Sequence, residues 1–271
     1  MSGIKEYDFL CHKIKIANYT PDIKQGFEVT KKPCFVCFSD LHLKRFGYEQ
    51  SVLITAIDSC TPDAIFIAGD VVNSNEPEKL NEAVAFLAKL ADKYPVFYAP
   101  GNHEEKLKKY EKEYSEYVKN ICDKGIIFLD NTSVEYDFRG LKTKIYGLSP
   151  EKEYYYKNKD SRLLDYNHIK ELIGEASTSS YNILLAHTPE YFNEYIKWKP
   201  DLILSGHYHG GICRLPFLGG VISPKFRLFP KYDYGEYSKD GTTMLVSSGL
   251  GYHTLPARIF NPPEILCIRY K

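Results

Sequence analysis

The sequence has no long apolar run and no excess of either charge. No stretch reaches the ~18 apolar residues that a membrane span requires. The start "MSGIKEYDFLCHKIKIANYT" has no basic stretch followed by a long apolar one, so we expect neither a signal peptide nor a membrane helix. Thirty-five basic residues balance 35 acidic ones, which argues against nucleic acid as a general partner. As the chain stands, we expect a cytoplasmic protein.

Cysteine is present but follows no disulfide pattern. The seven cysteines are an odd number, spread thinly and partly inside apolar runs, as is typical of reduced core thiols. Cys34 and Cys37 form a C-x-x-C, but inside a predicted strand, where residues three apart point to opposite faces. We therefore favour packing over a thiol or zinc role for this pair.

The chain also lacks an internal repeat and a Gly/Ser linker, while strand-like and helix-like segments alternate along it. This alternation predicts parallel strands joined by right-handed crossovers. The predicted strands are 12–20, 34–40, 64–70, 96–103, 126–130, 144–149, 181–187, 201–207 and 264–270, and the predicted helices are 48–60, 76–94, 105–125 and 161–176. Gly125 is expected to cap the third helix, and the last sixty residues to form strands and loops.

Five of the apolar runs end in residues suited to metal binding or proton transfer. In chain order these are Asp40 and His42, Asp70, Asn102 and His103, His187, and His207 and His209. They include five of the eight histidines. In an open α/β sheet, the loops beyond the carboxyl ends of the strands form the ligand crevice. We therefore expect these side chains to converge there.

The chemistry of this set indicates more than one metal ion. Two carboxylates, one amide and five imidazoles form a mixed N/O set that suits Mn²⁺, Fe or Zn²⁺ better than Ca²⁺ or Mg²⁺. The set is too large for one ion. Two ions about 3.5–4 Å apart that share a bridging carboxylate would use it.

The motifs "SDLH", "AGD", "GNHE", "LLAH" and "SGHYHGG", in this order and spacing, resemble those of the calcineurin-like metallophosphoesterase superfamily. The resemblance covers about residues 34–271, and the tail is similar to the bacterial YkuE-like branch. It implies an α/β fold in which two mixed β-sheets pack as a sandwich flanked by helices. It also implies a single domain over residues 1–271, with residues 1–33 as an N-terminal strand and lead-in.

The resemblance assigns a role to each of the clustered residues. It implies that Asp40, His42 and His209 hold one metal ion, that Asn102, His187 and His207 hold the other, and that Asp70 bridges both. His103 matches the family's catalytic histidine near the leaving group. The sequence departs from the common pattern at Asn73, where many relatives have an acid, so the role of that position is open.

The implied activity is phosphoester hydrolysis by hydroxide generated on two divalent or trivalent ions, without a covalent enzyme intermediate. Branch resemblance favours a small-molecule or lipid-linked phosphodiester or diphosphate as substrate. A phosphoprotein phosphatase acting on serine and threonine phosphates is the alternative enzyme. A non-catalytic metal-binding scaffold is the alternative of another class.

Three further candidate residues lie outside these motifs. His253 and Arg258, in "GYHTLPARIF", are either a loop histidine and an arginine paired with an acid, or residues that reach the crevice and contact a substrate phosphate. The sequence leaves both interpretations open. His168 is predicted to be a surface residue of a helix.

Overall fold

The computed structural model of the protein describes residues 13–24, 26–27, 29–155, 163–211, 214–215, 219–220, 231–252, 258 and 260–271. Within these residues the chain forms two mixed six-stranded sheets that face one another, with helices on both outer sides. The predicted α/β sandwich is therefore confirmed. That residues 1–271 form one domain stays a prediction.

The first sheet is parallel except around the last strand of the chain. In spatial order its strands are β1 (Lys15–Tyr19), β14 (Glu264–Arg269), β2 (Cys34–Phe38), β3 (Ala64–Ala68), β4 (Val96–Ala99) and β5 (Ile126–Phe128). β14 runs parallel to β1 and antiparallel to β2, while β2 to β5 are parallel neighbours. The carboxyl ends of β2, β3 and β4 therefore lie at one edge.

The second sheet has a parallel centre and two antiparallel edge pairs. In spatial order its strands are β12 (Gly235–Lys239), β13 (Thr242–Val246), β9 (Leu202–Ser205), β8 (Tyr181–Ala186), β7 (Leu141–Leu148) and β6 (Thr132–Phe138). β7, β8, β9 and β13 are parallel neighbours. A short antiparallel pair, β10 (Arg214–Leu215) and β11 (Gly219–Gly220), stands apart from both sheets.

The helices cover the outer faces of the two sheets. The first sheet is covered by α1 (Ser51–Ser59), α2 (Leu80–Ala91) and α4 (Glu111–Asp123), and the second by α5 (Tyr166–Ile173) and α6 (Phe192–Trp198). A short helix, α3 (Asn102–Leu107), follows β4 directly. An apolar cluster fills each of the three interfaces between neighbouring layers, so burial of apolar area holds the four layers together.

The two-residue period of a strand explains how one sheet serves two cores. In β2, Val36 and Phe38 pack toward the helices, whereas Phe35 and Cys37 pack toward the second sheet. Cys34 packs on the helix side. The prediction that Cys34 and Cys37 point to opposite faces is therefore confirmed.

The predicted helix 105–125 is wrong as a single element. The chain forms α3 and α4 and turns between them at residues 108–110. The first turn of α3 must point Asn102 and Glu104 inward, whereas α4 packs Tyr117 and Ile121 against the outer face of the first sheet. No glycine or proline marks the break. Gly125 follows α4 at φ 89°, as predicted for its cap.

Two elements were absent from the sequence prediction, namely β6 and α6. The aromatic segment of α6 buries Phe192, Tyr195 and Trp198, a spacing of three residues that places them on one helical face. Among the last sixty residues, the part that the structure describes contains strands and no helix, as predicted. In the described part of the chain, every helix is too short or too polar to cross a bilayer.

Candidate metal centre

Side chains from both sheets meet at one edge of the sandwich. They follow the carboxyl ends of β2, β3 and β4 in the first sheet and of β8 and β9 in the second. The side chains are those of Asp40, His42, Asp70, Asn102, His103, His187, His207 and His209, and these residues are buried or partly buried. Their shared position at one edge is the one that the sequence predicts, and the distances between their side chains follow.

Asp40, His42 and His209 form the first group. Asp40 Oδ1 lies 3.3 Å from His209 Nε2 and 4.0 Å from His42 Nε2. The two Nε2 atoms lie 3.2 Å apart. Two ligand atoms bound to one ion at about 2.1 Å lie about 3.0–3.4 Å apart. The group therefore has nearly the spacing of three ligands that share an ion.

Asp70 connects the two sheets. Its Oδ2 lies 3.2 Å from His187 Nε2, which follows β8, and 3.8 Å from His42 Nε2, which follows β2. Asp70 belongs to two groups of three potential ligands, one with Asp40 and His187 and one with His42 and His103. A carboxylate placed between two sets of histidines has the position that a bridging ligand needs.

The hydrogen bond of His187 fixes which of its nitrogens faces the carboxylates. Nδ1 lies 2.6 Å from the carbonyl oxygen of Ala68, which can only accept, so Nδ1 carries a proton. In the neutral ring, Nε2 then presents a lone pair toward Asp70 and Asp40. A metal-bound histidine usually donates its other N–H to a carbonyl in this way.

His207 and Tyr155 complete the wall on the side of the second sheet. The backbone N–H of His207 donates to both carboxylate oxygens of Asp40, at 3.2 and 3.1 Å. The His207 ring centroid lies 5.1 Å from that of His187 and 5.8 Å from that of Tyr155. His207 therefore supports Asp40 through its backbone while its ring borders His187.

The protonation of these groups reflects crowding of charge in a buried place. Burial raises the pKa of Asp40, whereas the nearby histidines, acting against burial, hold the pKa of Asp70 well below its usual value. Burial lowers the pKa of His42 to about 4. For His187 burial is outweighed by Asp70 and Asp40, which raise its pKa to about 9. A cation in the place of this proton would satisfy the same carboxylates.

The backbone around the site is held in a conformation that L-residues rarely adopt. Asp40, His42, Asp70, His207 and His209 have positive φ, between 49° and 72°. Such residues cost of order 1–3 kcal/mol each and persist where the surrounding structure fixes them. Here the loops hydrogen-bond to each other, with the N–H of His42 donating to the carbonyl of Asp70 at 3.0 Å.

Glycine at position 69 is required by a close approach. Gly69 has φ 84°, and a Cβ there would lie 2.6 Å from His187 Nδ1 and 2.7 Å from the Cα of Gly101. Any side chain would separate the β3 loop from its neighbours. The glycine therefore lets Asp70 and His187 approach from opposite sheets.

His103 is held in one tautomer by its neighbour Ser74. The backbone N–H of Ser74 donates to His103 Nδ1 at 3.1 Å, so the neutral ring carries its proton on Nε2. The backbone N–H of His103 donates to Asp70 Oδ1 at 2.8 Å. The His103 ring lies 4.5 Å from the His42 ring. His103 is thus a hydrogen-bond donor through Nε2, next to Asp70 and His42.

Glu104 is a buried acid that the sequence analysis did not single out. It is fully buried and accepts hydrogen bonds from the backbone N–H groups of Asp70 at 2.8 Å, Gly101 at 2.7 Å and Val72 at 3.2 Å, and from Tyr98 OH at 2.6 Å. Burial and the charge of Asp70 raise its pKa to about 7. Glu104 ties the β3 loop to the start of α3. In the sequence, Glu104 could have been found as the last residue of the motif "GNHE".

Asn261 plays the same part for the second sheet and was also missed. Its side-chain amide donates to the carbonyl oxygens of His209 at 2.6 Å and Gly211 at 2.7 Å, and the residue is 3% exposed. A Cβ on Gly210 would lie 2.9 Å from the Asn261 amide oxygen. Asn261 therefore fixes the loop that carries His209. No motif in the sequence marked it.

The remaining predicted positions lie at or beyond the border of the centre. The Arg258 guanidinium donates to the carbonyl oxygen of Gly251 at 2.9 and 2.6 Å. Asn73 donates to Glu76 at 2.9 Å within a turn. His168 is on the surface between Glu151 and Glu171, as predicted. His253 lies outside the described residues.

The residues present fit a pair of metal ions. Asn102 Oδ1 is buried and finds no hydrogen-bond donor among the residues that the structure describes. An amide oxygen in that state costs free energy unless a cation or water meets it. Together with the lone pair of His187 and the facing Nε2 atoms of His42 and His209, it makes a mixed N/O set suited to Mn²⁺, Fe or Zn²⁺.

Comparison with known proteins gives the same picture. A family model described as calcineurin-like phosphoesterase matches residues 35–211. A metallophosphoesterase of Campylobacter jejuni is 29% identical over 259 residues, which cover 93% of this chain and 61% of that protein. The metallophosphoesterase YkuE of Bacillus subtilis is 28% identical over 255 residues, which cover 92% of this chain and 82% of that protein. The resemblance inferred from the motifs is therefore confirmed.

The solved structures that resemble this chain have lower sequence identity to it than these relatives do. The phosphopantetheinyl hydrolase of Mycobacterium tuberculosis aligns with a TM-score of 0.47 and 14% identity, covering 80% of this chain and 89% of that one. A likeness at this level has no bearing on activity. All eight clustered residues lie inside the matched range 35–211, whereas Asn261 and Arg258 lie beyond it.

Proposed function

The chain belongs to the calcineurin-like phosphoesterase family, and we propose that it is a metal-dependent hydrolase that cleaves a phosphodiester or diphosphate bond. In this proposal Asp40, His42 and His209 hold one ion, Asn102, His187 and His207 hold the other, and Asp70 contacts both. His103 is the catalytic acid. The ions are Mn²⁺, Fe or Zn²⁺, which the mixed N/O ligand set favours.

One observation carries this proposal, namely that Asp70 Oδ2 faces histidines of both sheets. Its distances to His187 Nε2 and His42 Nε2 are 3.2 and 3.8 Å. A buried carboxylate between two imidazole groups can neutralise part of the charge of two cations at once. A site for a single ion would need only three or four of the eight side chains.

The chain's own residues would perform the remaining steps. When bound, the two ions would activate water and neutralise the phosphoryl oxygens. His103 would donate from Nε2 to the departing oxygen, as a hydrogen bond from the neutral ring or as a proton from the imidazolium. Ser74 keeps the tautomer by donating to Nδ1. Because its N–H donates to Asp70, His103 keeps its place relative to the ions.

The finer choice of substrate draws support from Lys44. Its ammonium lies 3.7 Å from the ring centroid of Tyr252. Lys44 is two residues beyond His42, and Tyr252 follows Gly251, whose N–H donates to the carbonyl of Asp40 at 2.6 Å. This ammonium is buried against the rings of Tyr252 and Phe46, on the loop that follows His42, and its charge would attract the second phosphoryl group that a diphosphate has and a monoester lacks. We further propose that the substrate is a small-molecule or lipid-linked phosphoester.

An assay with added Mn²⁺ tests the proposal. Purified protein should hydrolyse a chromogenic diester such as bis(4-nitrophenyl) phosphate, and a panel of monoesters, diesters and diphosphates should show the highest kcat/KM for a diester or diphosphate. Lys44→Gln should raise KM for a diphosphate more than for a monoester. A higher kcat/KM for phosphoserine peptides would favour a phosphoprotein phosphatase. Metal binding without turnover of any ester would favour the scaffold.

A further inference from the structure

Three cysteines far apart in the sequence meet away from the metal centre. Cys34 is the first residue of β2, Cys60 follows α1, and Cys267 lies in β14. The metal centre lies beyond the other end of β2, after Phe38. Cys60 and Cys267 are 2% and 0% exposed, and Cys34 is partly exposed. We call these three residues the thiol cluster.

The thiol cluster is built around the sulfur of Cys267. Cys34 Sγ lies 3.9 Å from Cys267 Sγ. Arg269 donates from Nη1 to Cys267 Sγ at 2.7 Å and from Nη2 to the carbonyl oxygen of Cys60 at 3.0 Å. A guanidinium in contact with a buried sulfur favours its thiolate form. Arg269 therefore connects Cys267 to the end of α1.

The neighbouring thiols favour the same ionisation. Hydrogen bonds from Cys34 and Cys60, helped by the charge of Arg269, lower the pKa of Cys267 to about 3. The same contacts with Cys267, together with burial, raise the pKa values of Cys34 and Cys60. The contacts of Cys267 Sγ with Arg269 and Cys34 thus favour a thiolate at Cys267.

The strand register opposes a disulfide between Cys34 and Cys267. Arg269 pairs with Cys34 and Cys267 pairs with Val36, so the cysteines are diagonal neighbours. Diagonal neighbours lie about 7–8 Å apart, whereas a disulfide needs Cα atoms within about 4.4–6.8 Å. Two thiolates on one ion with bonds of about 2.3 Å have their sulfurs about 3.8–4.0 Å apart. The observed 3.9 Å therefore fits coordination better than oxidation.

We propose that Cys34, Cys60 and Cys267 bind one soft divalent metal ion of the zinc class. Three thiolates, a divalent ion and the Arg269 guanidinium sum to zero charge, which lowers the cost of burying them. Binding releases the protons of Cys34 and Cys60. Cys60 Sγ lies 3.6 Å from the carbonyl oxygen of Ala56, and in the proposed site it would exchange that contact for the ion. The ion would tie β14 to β2 and α1.

Cadmium is the probe that separates this site from the centre at the other edge. Cd²⁺ bound to thiolates absorbs in the near ultraviolet, whereas Cd²⁺ bound to imidazole and carboxylate does not. In a background where Cys11, Cys122 and Cys213 are serine, one equivalent of Cd²⁺ should give this absorption. Cys34→Ser and Cys267→Ser should each abolish it. Cys37→Ala, on the opposite face of β2, should retain it.

Two further measurements complete the test. Arg269→Gln should weaken Cd²⁺ binding by about 10–100-fold, the usual effect of losing a partner of a ligand. Stoichiometric Cd²⁺ should raise the melting temperature of the background protein by more than that of Cys34→Ser, in which only the other centre can bind the ion. Cys34 is partly exposed, so this variant remains informative if Cys267→Ser fails to fold. No absorption in the background protein, absorption that survives in Cys34→Ser, or a Cys34–Cys267 disulfide found by mass spectrometry would overturn the proposal. None of these results depends on hydrolase activity.

Discussion

The two sheets contribute chemically different halves to the candidate metal centre. The first sheet supplies both carboxylates and the amide, together with His42 and His103, whereas the three side chains from the second sheet are all imidazoles. The carboxylates set the charge that attracts cations. The imidazoles leave that charge unchanged when neutral and favour borderline metals over Mg²⁺ or Ca²⁺.

The two halves are also held in place differently. In the first sheet, one buried acid, Glu104, accepts hydrogen bonds from three backbone N–H groups and a tyrosine. In the second, one buried amide, Asn261, donates to two carbonyl oxygens of the loop that carries His209. Each half therefore depends on one residue that does not itself face the proposed ions. Removing a carboxylate from the first half should therefore reduce metal binding more than disturbing the His209 loop of the second half does.

The largest effect is expected for Asp70→Ala. Because Asp70 faces histidines of both halves, its loss should lower the number of bound ions more than His207→Ala does, and abolish ester hydrolysis. Metal analysis of protein equilibrated with Mn²⁺ measures both. Asp92→Ala, an exposed control, should bind as the unmodified protein does. Equal metal loss in the Asp70 and His207 variants would mean that Asp70 does not bridge.

His103→Ala should be next in size and should separate catalysis from metal binding. Both ions should remain bound, while kcat falls by about 10²–10⁴ because a positioned general acid is lost. The loss should be smaller with nitrophenyl than with alkyl leaving groups, since nitrophenol needs little protonation. His187→Ala should instead lose metal and activity together, with partial rescue by excess metal. If His103→Ala loses an ion, the role of acid is wrong.

Glu104→Gln should have a smaller effect, mainly on stability. The amide nitrogen can face only one side of the network, and each backbone N–H left without an acceptor costs about 1–3 kcal/mol. The free energy of unfolding, from urea titration, should therefore fall by about that amount per lost bond, and metal affinity should fall with it. Glu113→Gln, exposed on α4, is the control. Unchanged stability would show that Glu104 does not brace the first half.

Asn261→Asp should have the smallest effect on turnover, because it acts through the loop that carries His209 and therefore mainly on metal affinity. It replaces an amide donor by a carboxylate facing the carbonyl oxygens of His209 and Gly211. Mn²⁺ affinity should fall by about 10–100-fold, as for other residues that orient ligands, while kcat at saturating metal stays close to that of the unmodified protein. Asn120→Asp, exposed on α4, is the matched control. A fall in kcat that excess metal does not restore would contradict this role.

The sequence predicted the parts of the molecule that depend on short local patterns. Apolar runs that end in Asp70 and His187 predict strands with candidate site residues at their ends. The alternation in β2 predicts which of its residues face each core. These features depend on a few adjacent residues and on strand geometry. The sandwich and the convergence of the strand ends followed from the family resemblance and the parallel pairing.

The parts that were missed depend on contacts distant in sequence. Asn261 lies 52 residues from His209, and nothing around it has the pattern of a site. α6 buries three aromatic residues that have modest helix propensity, so packing rather than propensity sets it. The chain breaks between α3 and α4 because α3 directs Asn102 and Glu104 toward the candidate site, whereas α4 packs against the outer face of the first sheet. Such effects cannot be read from a local window.

The central claim, that Asp70 joins two ions held by both sheets, is tested most directly by a crystal grown with Mn²⁺. Anomalous scattering at the manganese edge should show two peaks about 3.5–4 Å apart. Asp70 should contact both, Asp40, His42 and His209 should contact one, and Asn102, His187 and His207 the other. A single peak, or two peaks of which only one touches Asp70, would contradict the account.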